Sequence, residues 1–445
     1  MVITNIVKRS GVIVPFNPAR ISNAIYRAAV EVGGRDRATA EGLAQQVVQL
    51  LEAQIPPGQI PTVEQVQDAV EKVLIENGHA KVAKAYILYR EEHARMRRER
   101  ADRASRPSEK IPWAKIYRAL DWACDHSVNT IAGLNERIAR GEFPDIVRES
   151  EAAYNEDVEN AAETMLQRRN DLKIVIITGP SSSGKTTTTI KIGARLKRMG
   201  FNLVTLNVDN YFFNLDVHPK DEFGDYDFET PQALDLALIN EHLVRLIAGE
   251  EVRIPFYDMK TGQRANDRTP MKLKANDLIL IDSLHGMYPD MTQSVPNEQK
   301  FKLYLEPLLQ MKKPDGEFVR WTDLRLIRRM LRDAVHRAYD PRRTLLHWHY
   351  VRNSEMRNII SHINEADYIV NTGMAFELPI YRPRLLDQFA QWEIDYANDP
   401  LREDAYARAK RVHAMLSAVT PITDDSSIPG DSVLREFIGG SVYEY

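Results

Sequence analysis

Residues 173–186 read KIVIITGPSSSGKT, and this stretch decides the fold of most of the chain. It opens on an apolar run that is typical of a strand buried on both faces of a parallel sheet. The next eight residues fit the pattern G-x-x-x-x-G-K-[ST] completely, and a helical segment, 187–197, follows them. Such a loop turns its backbone N–H groups inward towards phosphate, and the helix adds the positive end of its dipole. The stretch therefore predicts a nucleotide-phosphate site, against the alternative of a chance Gly/Ser-rich turn.

The loop and the start of its helix supply the predicted ATP-binding residues. They are Gly179, Pro180, Ser181, Ser182, Ser183, Gly184, Lys185, Thr186 and Thr187. Lys185 is expected to reach the β- and γ-phosphates of ATP, and the Thr186 hydroxyl is expected to ligate Mg²⁺. Apolar runs at 203–208 and 278–281, separated by helical segments, predict two further strands of a parallel sheet. We therefore expect an α/β P-loop NTPase domain, with a parallel sheet flanked by helices.

Two aspartates lie where the predicted strands end. Asp209 follows the strand at 203–208, and Asp282 follows the strand at 278–281. Ligand sites of open α/β sheets form at the carboxyl ends of the strands. Phosphoryl transfer needs a group that orients or deprotonates the acceptor hydroxyl, and a second acidic group helps to hold Mg²⁺. We assign the first role to Asp209 and the second to Asp282; the alternative for either is a helix N-cap or a solvated loop residue.

The composition limits the other functions open to the chain. A chain of 445 residues is too long for one compact core, and its formal net charge of −4 argues against a general nucleic-acid binder. The single cysteine, Cys124, excludes an internal disulfide and a zinc site built from several cysteines. Residues 1–18 lack the apolar run of a signal peptide, and no stretch approaches the roughly 20 apolar residues that span a bilayer. We expect a cytoplasmic protein that binds neither nucleic acid nor membrane.

The chain divides into three predicted parts, at 1–98, 99–170 and 171–445. The first opens with a hairpin pattern, with strands at 2–7 and 12–15, and continues with helical periodicity. The second is helical in pattern and carries no chemical motif, so we interpret it as a helical linker. The basic run at 95–106 is interpreted as a solvated helix end, with nucleic-acid binding as the alternative. The third part contains the phosphate loop and a C-terminal tail.

Residues from about 173 to 384 resemble the uridine kinase and phosphoribulokinase family of P-loop kinases. Five pieces in the family's order carry the resemblance: the loop itself, DNYF at 209–212, ETPQALD at 229–235, IPFYD at 254–258 and TDLRLIRRMLRD at 322–333. The resemblance implies ATP-dependent phosphorylation of a hydroxyl group. It also implies that Asp209 takes the proton of the acceptor hydroxyl, and that Tyr257 lines a nucleoside pocket with Arg264 beside it.

The last of these pieces carries arginines at positions i, i+3, i+4 and i+7. They are Arg325, Arg328, Arg329 and Arg332. On a helix these positions share one face, and guanidinium groups suit the charge of a phosphoryl group. The resemblance makes this helix part of a lid over the phosphates, in which Arg329 acts in catalysis while Arg328 and Arg332 bind ATP. Arg325 would contact the substrate. The alternative is a solvated basic helix paired with neighbouring aspartates.

Three positions depart from the family's pattern. Glu229 stands where uridine kinases place an aspartate before a His-Pro pair, and the expected pocket histidine falls near Gly262. Asp282-Ser283 replaces the usual Glu-Gly. The phosphoryl-transfer residues are kept while base-recognition positions have changed, so the pattern weakens the case for uridine as acceptor. The predicted substrate contacts are Asp209, Tyr211, Glu229, Tyr257, Arg264, His285, Arg325 and Arg352.

Residues 3 to about 95 resemble the ATP-cone, an allosteric nucleotide-binding domain. The resemblance is carried by IVKRSG at 6–11, by Phe16 with Arg20-Ile21, by the helix at 66–74 and by VAKAYILYR at 82–90. Two basic residues on a tight turn, with an arginine nearby, offer a triphosphate three cationic partners, and a small helical module can respond to ATP and dATP with two packings. The predicted regulatory residues are Lys8, Arg9, Gly11, Arg20, Thr62 and Gln67. The alternative is a docking domain that has lost its nucleotide site.

Together these patterns predict an ATP- and Mg²⁺-dependent kinase of a nucleoside-like small molecule, regulated by ATP or dATP at its front domain. We also expect a homo-oligomer whose size depends on nucleotide. A sugar, a sugar phosphate or another non-nucleoside alcohol is the alternative acceptor. An alternative of another class is a nucleotide-switched regulator that phosphorylates no small molecule. Asp209 separates the two classes, because a pure switch needs no base beside the γ-phosphate. The closing segment, 432–441, resembles the tail of uridine-kinase-like proteins.

Overall fold

The computed structural model describes residues 3–8, 11–56, 59–102, 111–218, 220, 226, 230–274, 276–337, 339–399 and 402–444, without the side chains of 92–102 and 337. The chain forms two compact units. The front unit contains Met1–Ser108, Phe212–Asp235 and Tyr257–Ala265, and the sheet unit contains Glu109–Tyr211, Leu236–Phe256 and Asn266–Tyr445. Two segments from the middle of the chain therefore belong to the unit of the N-terminal domain.

The N-terminal part of the front unit is a short hairpin followed by four helices. Strands β1 (Asn5–Val7) and β2 (Ile13–Pro15) pair antiparallel. The helices are α1 (Pro18–Glu31), α2 (Arg37–Gln54), α3 (Val63–Glu76) and α4 (Ala80–Asp102). The predicted hairpin and helical frame are confirmed, with a shorter first strand than the pattern suggested.

Polar side chains fix where these helices begin. Asn17 caps α1 and Asp36 caps α2, each by accepting a backbone N–H of the first turn. Thr62 and Gln65 form a reciprocal capping box at the start of α3. The apolar stripes of the helices then close on one core, which contains Ile25, Tyr26, Val47, Leu51, Val70 and Leu74.

The sheet unit is built on five parallel strands in the order β4-β7-β3-β8-β9. Their bounds are β3 (Ile174–Thr178), β4 (Asn202–Leu206), β7 (Asp277–Asp282), β8 (Lys300–Glu306) and β9 (Tyr368–Asn371). The central strand, β3, is buried along its whole length, because its apolar run is covered on both faces. A separate two-stranded sheet pairs β5 (Val252–Asp258) with β6 (Gln263–Met271). The predicted α/β fold with a parallel sheet is confirmed.

The helices of the sheet unit follow in chain order. They are α5 (Trp113–Asp125), α6 (Ile131–Ala139), α7 (Phe143–Gln167), α8 (Lys185–Arg198), α9 (Leu236–Ile247), α10 (Trp321–Arg337), α11 (Pro341–Asn358), α12 (Glu377–Tyr396), α13 (Glu403–Ser417) and α14 (Arg435–Ile438). Helix α7 packs on α8, where the Tyr154 and Thr188 hydroxyls hydrogen-bond at 2.8 Å. Its apolar residues share one core with the sheet. The sequence predicts a linker at 99–170, but α7 of this region packs against α8, the helix that follows the phosphate loop.

Among the described helices, none combines the length and the apolar character that crossing a membrane would require.

Candidate active site

The phosphate loop joins β3 to α8 and passes through the left-handed region of backbone conformation. Gly179 has φ +156° and Gly184 has φ +87°, with Ser182 at +59° between them. A Cβ at Gly179 would collide with the carbonyl oxygen of Leu305, and a Cβ at Gly184 would lie 2.5 Å from a methyl carbon of Val433. Both glycines are therefore required by conformation and by space. This tight curl is the shape through which such a loop presents its N–H groups to an anion.

Lys185 lies folded over its own loop. Its Nζ donates to the carbonyl oxygens of Gly179 at 3.0 Å and Pro180 at 3.2 Å. Burial lowers the pKa of Lys185, and the nearby Asp282 carboxylate opposes that effect. Burial raises the pKa of Asp282 to about 6, although Lys185 pulls it in the other direction. Neither the Lys185 ammonium nor the Asp282 carboxylate is fully neutralised by its partners in the protein. Such a pair suits a site that binds a polyanion together with a cation.

The predicted metal ligands lie at the same edge of the sheet. The Thr189 hydroxyl of α8 donates to Oδ2 of Asp282 at 3.2 Å. Thr186 lies exposed one turn earlier on α8, and residues three apart on a helix are neighbours on its surface. Asp209 lies exposed in a 3₁₀ turn after β4, and its charge contributes to the raised pKa of Asp282. The structure thus brings Asp209, Asp282 and the phosphate loop together at the carboxyl ends of β3, β4 and β7.

The arginine helix, α10, does not present a single lid face. The sequence predicts four phosphate-facing arginines, but Arg325 and Arg328 are completely buried while Arg329 and Arg332 are partly exposed. The Arg329 guanidinium donates to the Ser181 hydroxyl of the phosphate loop at 3.2 Å. Arg332 pairs with Asp333 at 3.0 Å. Only the outer two arginines therefore retain access to a bound phosphate, and the lid prediction is corrected for Arg325 and Arg328.

The inner two arginines hold the phosphate loop from behind. Arg325 binds Glu355 at 2.6 and 3.0 Å, and its Nη1 also donates to the Ser181 carbonyl at 3.1 Å. Arg328 binds Glu377 at 2.5 and 2.9 Å. A guanidinium can be buried only when carboxylates neutralise it. These carboxylates come from α11 and α12, which is why the helix pattern of α10 alone could not show that its arginines point inward.

Glu355 is a further residue of this cluster that the sequence reasoning missed. Its Oε1 accepts the backbone N–H of Ser181 at 2.9 Å. Arg352, predicted as a substrate contact, instead donates to Glu355 at 2.6 Å. Burial raises the pKa of Glu355, but the charges of Arg325 and Arg352 outweigh it, so the pKa lies below the usual range. The only available signal was the i, i+3 spacing of Arg352 and Glu355, which is too common to single out a site.

The C-terminal tail folds back onto the phosphate loop. Glu436, on α14, accepts the backbone N–H of Thr187 at 3.1 Å and its hydroxyl at 2.9 Å. The Glu436 carboxylate is buried and close enough to influence the pKa values of Lys185 and Asp282. N–H groups in the first turn of a helix are the usual donors to phosphate. Glu436 therefore lies at a donor that a bound nucleotide would use. The resemblance of 432–441 to the family's tail did not single out this residue.

Three of the eight predicted substrate contacts fall in two stretches of the front unit. Glu229 belongs to 212–235, here called the acceptor segment, and Tyr257 and Arg264 belong to 257–265, here called the Tyr257 turn. The rings of Phe212, His218 and Tyr257 form a cluster with centroid separations of 5.5 to 6.3 Å. His218 and Tyr257 are nearly parallel, at 9°. Burial lowers the pKa of His218, so its ring is neutral near pH 7. A histidine, His218, thus lies beside Tyr257, although the family's pattern places the pocket histidine near Gly262, and the sequence reasoning missed it.

The remaining substrate predictions have separate positions. Arg264 pairs with Asp235 at 3.0 Å and faces the ring of Phe213. Tyr211 is buried in the sheet unit, with its hydroxyl 2.9 Å from Nδ1 of His242. His285 is buried after β7. Glu229 lies outside the described residues.

Several of the predicted regulatory residues share one end of the front domain. Gly11, with φ +83°, closes a tight turn in which its N–H donates to the Lys8 carbonyl at 2.9 Å. The N–H of Val7 donates to the Pro61 carbonyl at 2.9 Å, which brings this turn beside Thr62 and the start of α3. Arg20 lies exposed in the first turn of α1, and Gln67 lies on α3. Arg9 lies outside the described residues.

Two stretches of the chain match known protein families. Residues 174–378 match the phosphoribulokinase / uridine kinase family, and residues 4–95 match the ATP cone domain. A uridine kinase of Chloroflexus aurantiacus is 30% identical over 167 residues, which are 37% of this chain and 69% of that protein. A vitamin B12-dependent ribonucleoside-diphosphate reductase of Thermoplasma acidophilum is 40% identical over 103 residues, which are 22% of this chain and 13% of the reductase. A solved structure of a possible uridine kinase from Bacillus stearothermophilus covers 48% of this chain and 98% of its own, at 16% identity and a TM-score of 0.32.

Proposed function

This chain belongs to the phosphoribulokinase / uridine kinase family, and we propose that it transfers the γ-phosphoryl group of ATP to a hydroxyl of a nucleoside-like small molecule. Family membership makes it an ATP-dependent phosphotransferase with an alcohol acceptor. The two resemblances stated from the sequence, to this family and to the ATP-cone, are confirmed. The identity of the acceptor, the roles of single residues and the regulation belong to the proposal.

The observation that carries the proposal is the meeting of Asp209 with the phosphate loop at one edge of the sheet. Asp209 is exposed, while its charge still influences the partly buried Asp282 next to α8. Phosphoryl transfer depends on positioning and on stabilising the charge of the transferred group, so a carboxylate beside the γ-phosphate has the position of an acceptor base. A nucleotide switch would not require it.

The reaction follows from these groups. The acceptor oxygen forms a bond to the γ-phosphorus as the bond to the bridging oxygen of the ADP leaving group breaks, and the acceptor's proton passes to the Asp209 carboxylate. Lys185 leaves its loop carbonyls and binds the phosphate oxygens, joined by the backbone N–H groups of the loop. Arg329 and Arg332, on the accessible side of α10, stabilise the charge on the transferred group.

Mg²⁺ fits the residues at this edge. The Thr186 hydroxyl and the Asp282 carboxylate are oxygen donors, which Mg²⁺ prefers. The raised pKa of Asp282 marks a carboxylate whose charge is incompletely compensated, so a nearby cation would favour its ionised form. When bound, the ion would neutralise charge on the β- and γ-phosphates.

The ring cluster of Phe212, His218 and Tyr257 supports a nucleoside-like acceptor. A neutral histidine and a tyrosine lying nearly parallel offer flat faces on which a planar base can stack. A sugar phosphate is the second candidate, because Arg35 and Arg264 both face the ring of Phe213 in the same segment. Their guanidinium groups suit an anionic acceptor.

The front domain is proposed to bind ATP or dATP as a regulator. Its candidate contacts are Lys8, Arg9, Gly11, Arg20, Thr62 and Gln67. The turn of Lys8 and Gly11 beside the start of α3 combines a cation with the N-terminal dipole of a helix, which suits phosphate. We further propose a homo-oligomer whose size changes with the bound nucleotide.

The test combines an acceptor screen with Asp209→Asn. Ribonucleosides, sugars, sugar phosphates and polyols are incubated with ATP and Mg²⁺, and the product is identified by mass. Asp209→Asn should lower kcat on the identified acceptor by about 10²- to 10⁴-fold while ATP affinity by calorimetry stays within twofold.

The matched control is Asp290→Asn, which changes an exposed aspartate after β7 and should leave kcat unaltered. Turnover of Asp209→Asn at the wild-type rate would remove the base assignment. ATP binding without any phosphorylated acceptor would favour the nucleotide-switched regulator.

A further inference from the structure

The front domain and the acceptor segment belong to one compact unit. The front unit joins the N-terminal helices to residues 212–235 and to the Tyr257 turn, although about 110 residues or more of chain separate them. The acceptor segment begins three residues after Asp209. The helical domain at the N-terminus therefore packs directly on the stretch that the proposed function assigns to acceptor binding.

Three side chains of the front domain hold backbone carbonyls of the acceptor segment. The Tyr26 hydroxyl donates to the Val217 carbonyl at 2.9 Å. Nη2 of Arg37 donates to the His218 carbonyl at 2.9 Å. Nη2 of Arg35 donates to the Gln232 carbonyl at 2.7 Å. These contacts fix the segment on both sides of its undescribed residues, and one of them fixes His218 itself.

The same arginines also contact aromatic rings. The Arg35 guanidinium carbon lies 4.4 Å from the centroid of the Phe213 ring, and that of Arg37 lies 4.5 Å from the Tyr26 ring. Guanidinium groups stack on such faces, which adds direction to the hydrogen bond. Phe213 is adjacent in sequence to Phe212, which belongs to the ring cluster. A displacement of Arg35 would therefore move Phe213 and, through it, the ring cluster of the proposed pocket.

Arg35 is not explained by stability alone. Burial lowers its pKa, and attraction to Tyr26 and Asp235 offsets only part of that effect. Among the described residues, no acceptor is within hydrogen-bond reach of its buried Nη1. A guanidinium held by a carbonyl and a ring, whose Nη1 finds no acceptor in the described part of the chain, is a costly way to fasten a loop. Its position fits a contact that is made and changed during function.

The two arginines lie at the junction of α1 and α2, which makes them sensitive to the packing of the front domain. Gly33, with φ +87°, ends α1, and Asp36 between the arginines caps α2. Arg20 and Tyr26 both lie on α1, six residues and about 9 Å apart along the axis. A nucleotide that engages Arg20 would therefore act on the helix that carries Tyr26.

We propose that Tyr26, Arg35 and Arg37 are positioning residues for the acceptor pocket, through which nucleotide at the front domain changes acceptor affinity. The proposal rests on the proposed function. The three side chains hold Val217, His218 and Gln232 in the arrangement that sets His218 beside Tyr257. A change in the angle between α1 and α2 would move the arginines and alter this arrangement. We expect ATP affinity to stay unchanged, because the buried ion pairs of Arg325 and Arg328 hold the phosphate loop separately.

The kinetic test uses Arg35→Lys, Arg37→Lys and Tyr26→Phe in the full chain, with the acceptor identified by the screen. Lysine keeps the charge but loses the stacking and the fixed geometry of guanidinium. The KM for acceptor should rise about tenfold, the KM for ATP should change less than twofold, and the response to dATP should be lost. Lys72→Ala, an exposed lysine of α3 in the same domain, is the matched control and should behave as wild type.

Hydrogen exchange gives a readout that needs no acceptor. The amides of Phe213, Leu215 and His218 are bonded within the front unit, to Ala233, Gly262 and Leu215. In the Arg35 and Arg37 variants these amides should exchange at least tenfold faster, while the amides of β3 stay unchanged. In the wild type, dATP should alter exchange at the same amides.

The outcomes separate this inference from the proposed function. Suppose that dATP alters exchange at these amides in the wild type, but that the protein phosphorylates no acceptor. The kinase proposal would then be rejected, while the coupling of the front domain to the acceptor segment would stand. Normal exchange and an unchanged acceptor KM in all three variants would overturn the inference. Equal losses in the KM for ATP and for acceptor would also overturn it, because they would indicate general unfolding.

Discussion

Arginines donate to backbone carbonyls of both the phosphate loop and the acceptor segment. The two sets of arginines differ in what neutralises their charge. Behind the phosphate loop, Arg325 and Arg328 of α10 are fully buried, and Glu355 and Glu377 neutralise them. Beside the acceptor segment, Arg35 and Arg37 of the front domain are partly exposed and contact aromatic rings.

This difference indicates how each region can move. Removing one partner of a buried ion pair leaves an uncompensated charge, so the phosphate loop has one strongly preferred arrangement. Contacts from a partly exposed guanidinium to a carbonyl and a ring are each worth about 1 kcal/mol, so the acceptor segment can shift at modest cost. The molecule thus keeps its phosphate site fixed while its acceptor side remains adjustable.

The largest expected effect comes from breaking a buried pair. Arg328→Met should lower the free energy of unfolding of the sheet unit by about 3–5 kcal/mol, because Glu377 keeps a buried charge without its partner. Arg37→Met, in the front unit, should cost about 1 kcal/mol. Denaturant titration followed by tryptophan fluorescence measures the sheet unit, and circular dichroism measures both.

The double variant Arg328→Met, Glu377→Leu is the control for this pair. Replacing both charges by apolar groups should recover at least half of the loss, since no unpaired charge remains. Equal costs for Arg328→Met and Arg37→Met would remove the distinction between the two regions.

A smaller effect is expected from Asp282. Its pKa in the folded chain, about 6, lies above the ordinary 3.8 of an aspartate, so the protonated form favours folding. That contribution is complete below about pH 4 and is lost as the pH rises through about 6, with a total of about 2 kcal/mol after screening by solvent.

The measurement compares unfolding of wild type and Asp282→Asn between pH 4 and 8 in EDTA. Because other carboxyl groups titrate in both proteins, the difference between the two reports Asp282. The wild type should lose stability relative to the variant as the pH rises, and a difference that is constant with pH would contradict the raised pKa.

The smallest expected effect concerns Glu436. Glu436→Gln removes a negative charge from the first turn of α8, where it accepts from Thr187. Because a triphosphate carries charge of the same sign, ATP should bind about tenfold more tightly to the variant in calorimetry. Glu403→Gln, an exposed residue at the start of α13, should leave ATP affinity unchanged. Weaker binding by Glu436→Gln would instead mean that the carboxylate holds the loop in its binding shape.

Much of the site could be predicted from the sequence where the pattern involves residues that are close together in the chain. The strand, loop and helix at 173–197 are adjacent in sequence, so a motif and an apolar run were sufficient. Asp209 and Asp282 were predicted from their positions after strands, because parallel strands end at a common edge. The helices of the front domain were predicted from apolar periodicity, which is read over only a few turns.

The errors arose where charge partners lie far away in the chain. The spacing of the arginines on α10 predicted one phosphate-facing side, but Arg325 and Arg328 are buried against carboxylates on other elements. His218 was missed because it joins Tyr257 only through the folding of the acceptor segment onto the Tyr257 turn. A single sequence gives no indication of such a pairing.

The sequence by itself determined the nucleotide loop, the individual buried strands and the helices of the front domain, because each depends on residues within a few positions of one another. Only the tertiary structure decided which charges meet. Glu355 reaches Ser181 across 174 residues, and Glu436 reaches Thr187 across 249. Buried charges must be neutralised, but the neutralising group can come from any element that folding brings near. The sequence therefore shows which side chains are charged, but only the tertiary structure shows which of them pair.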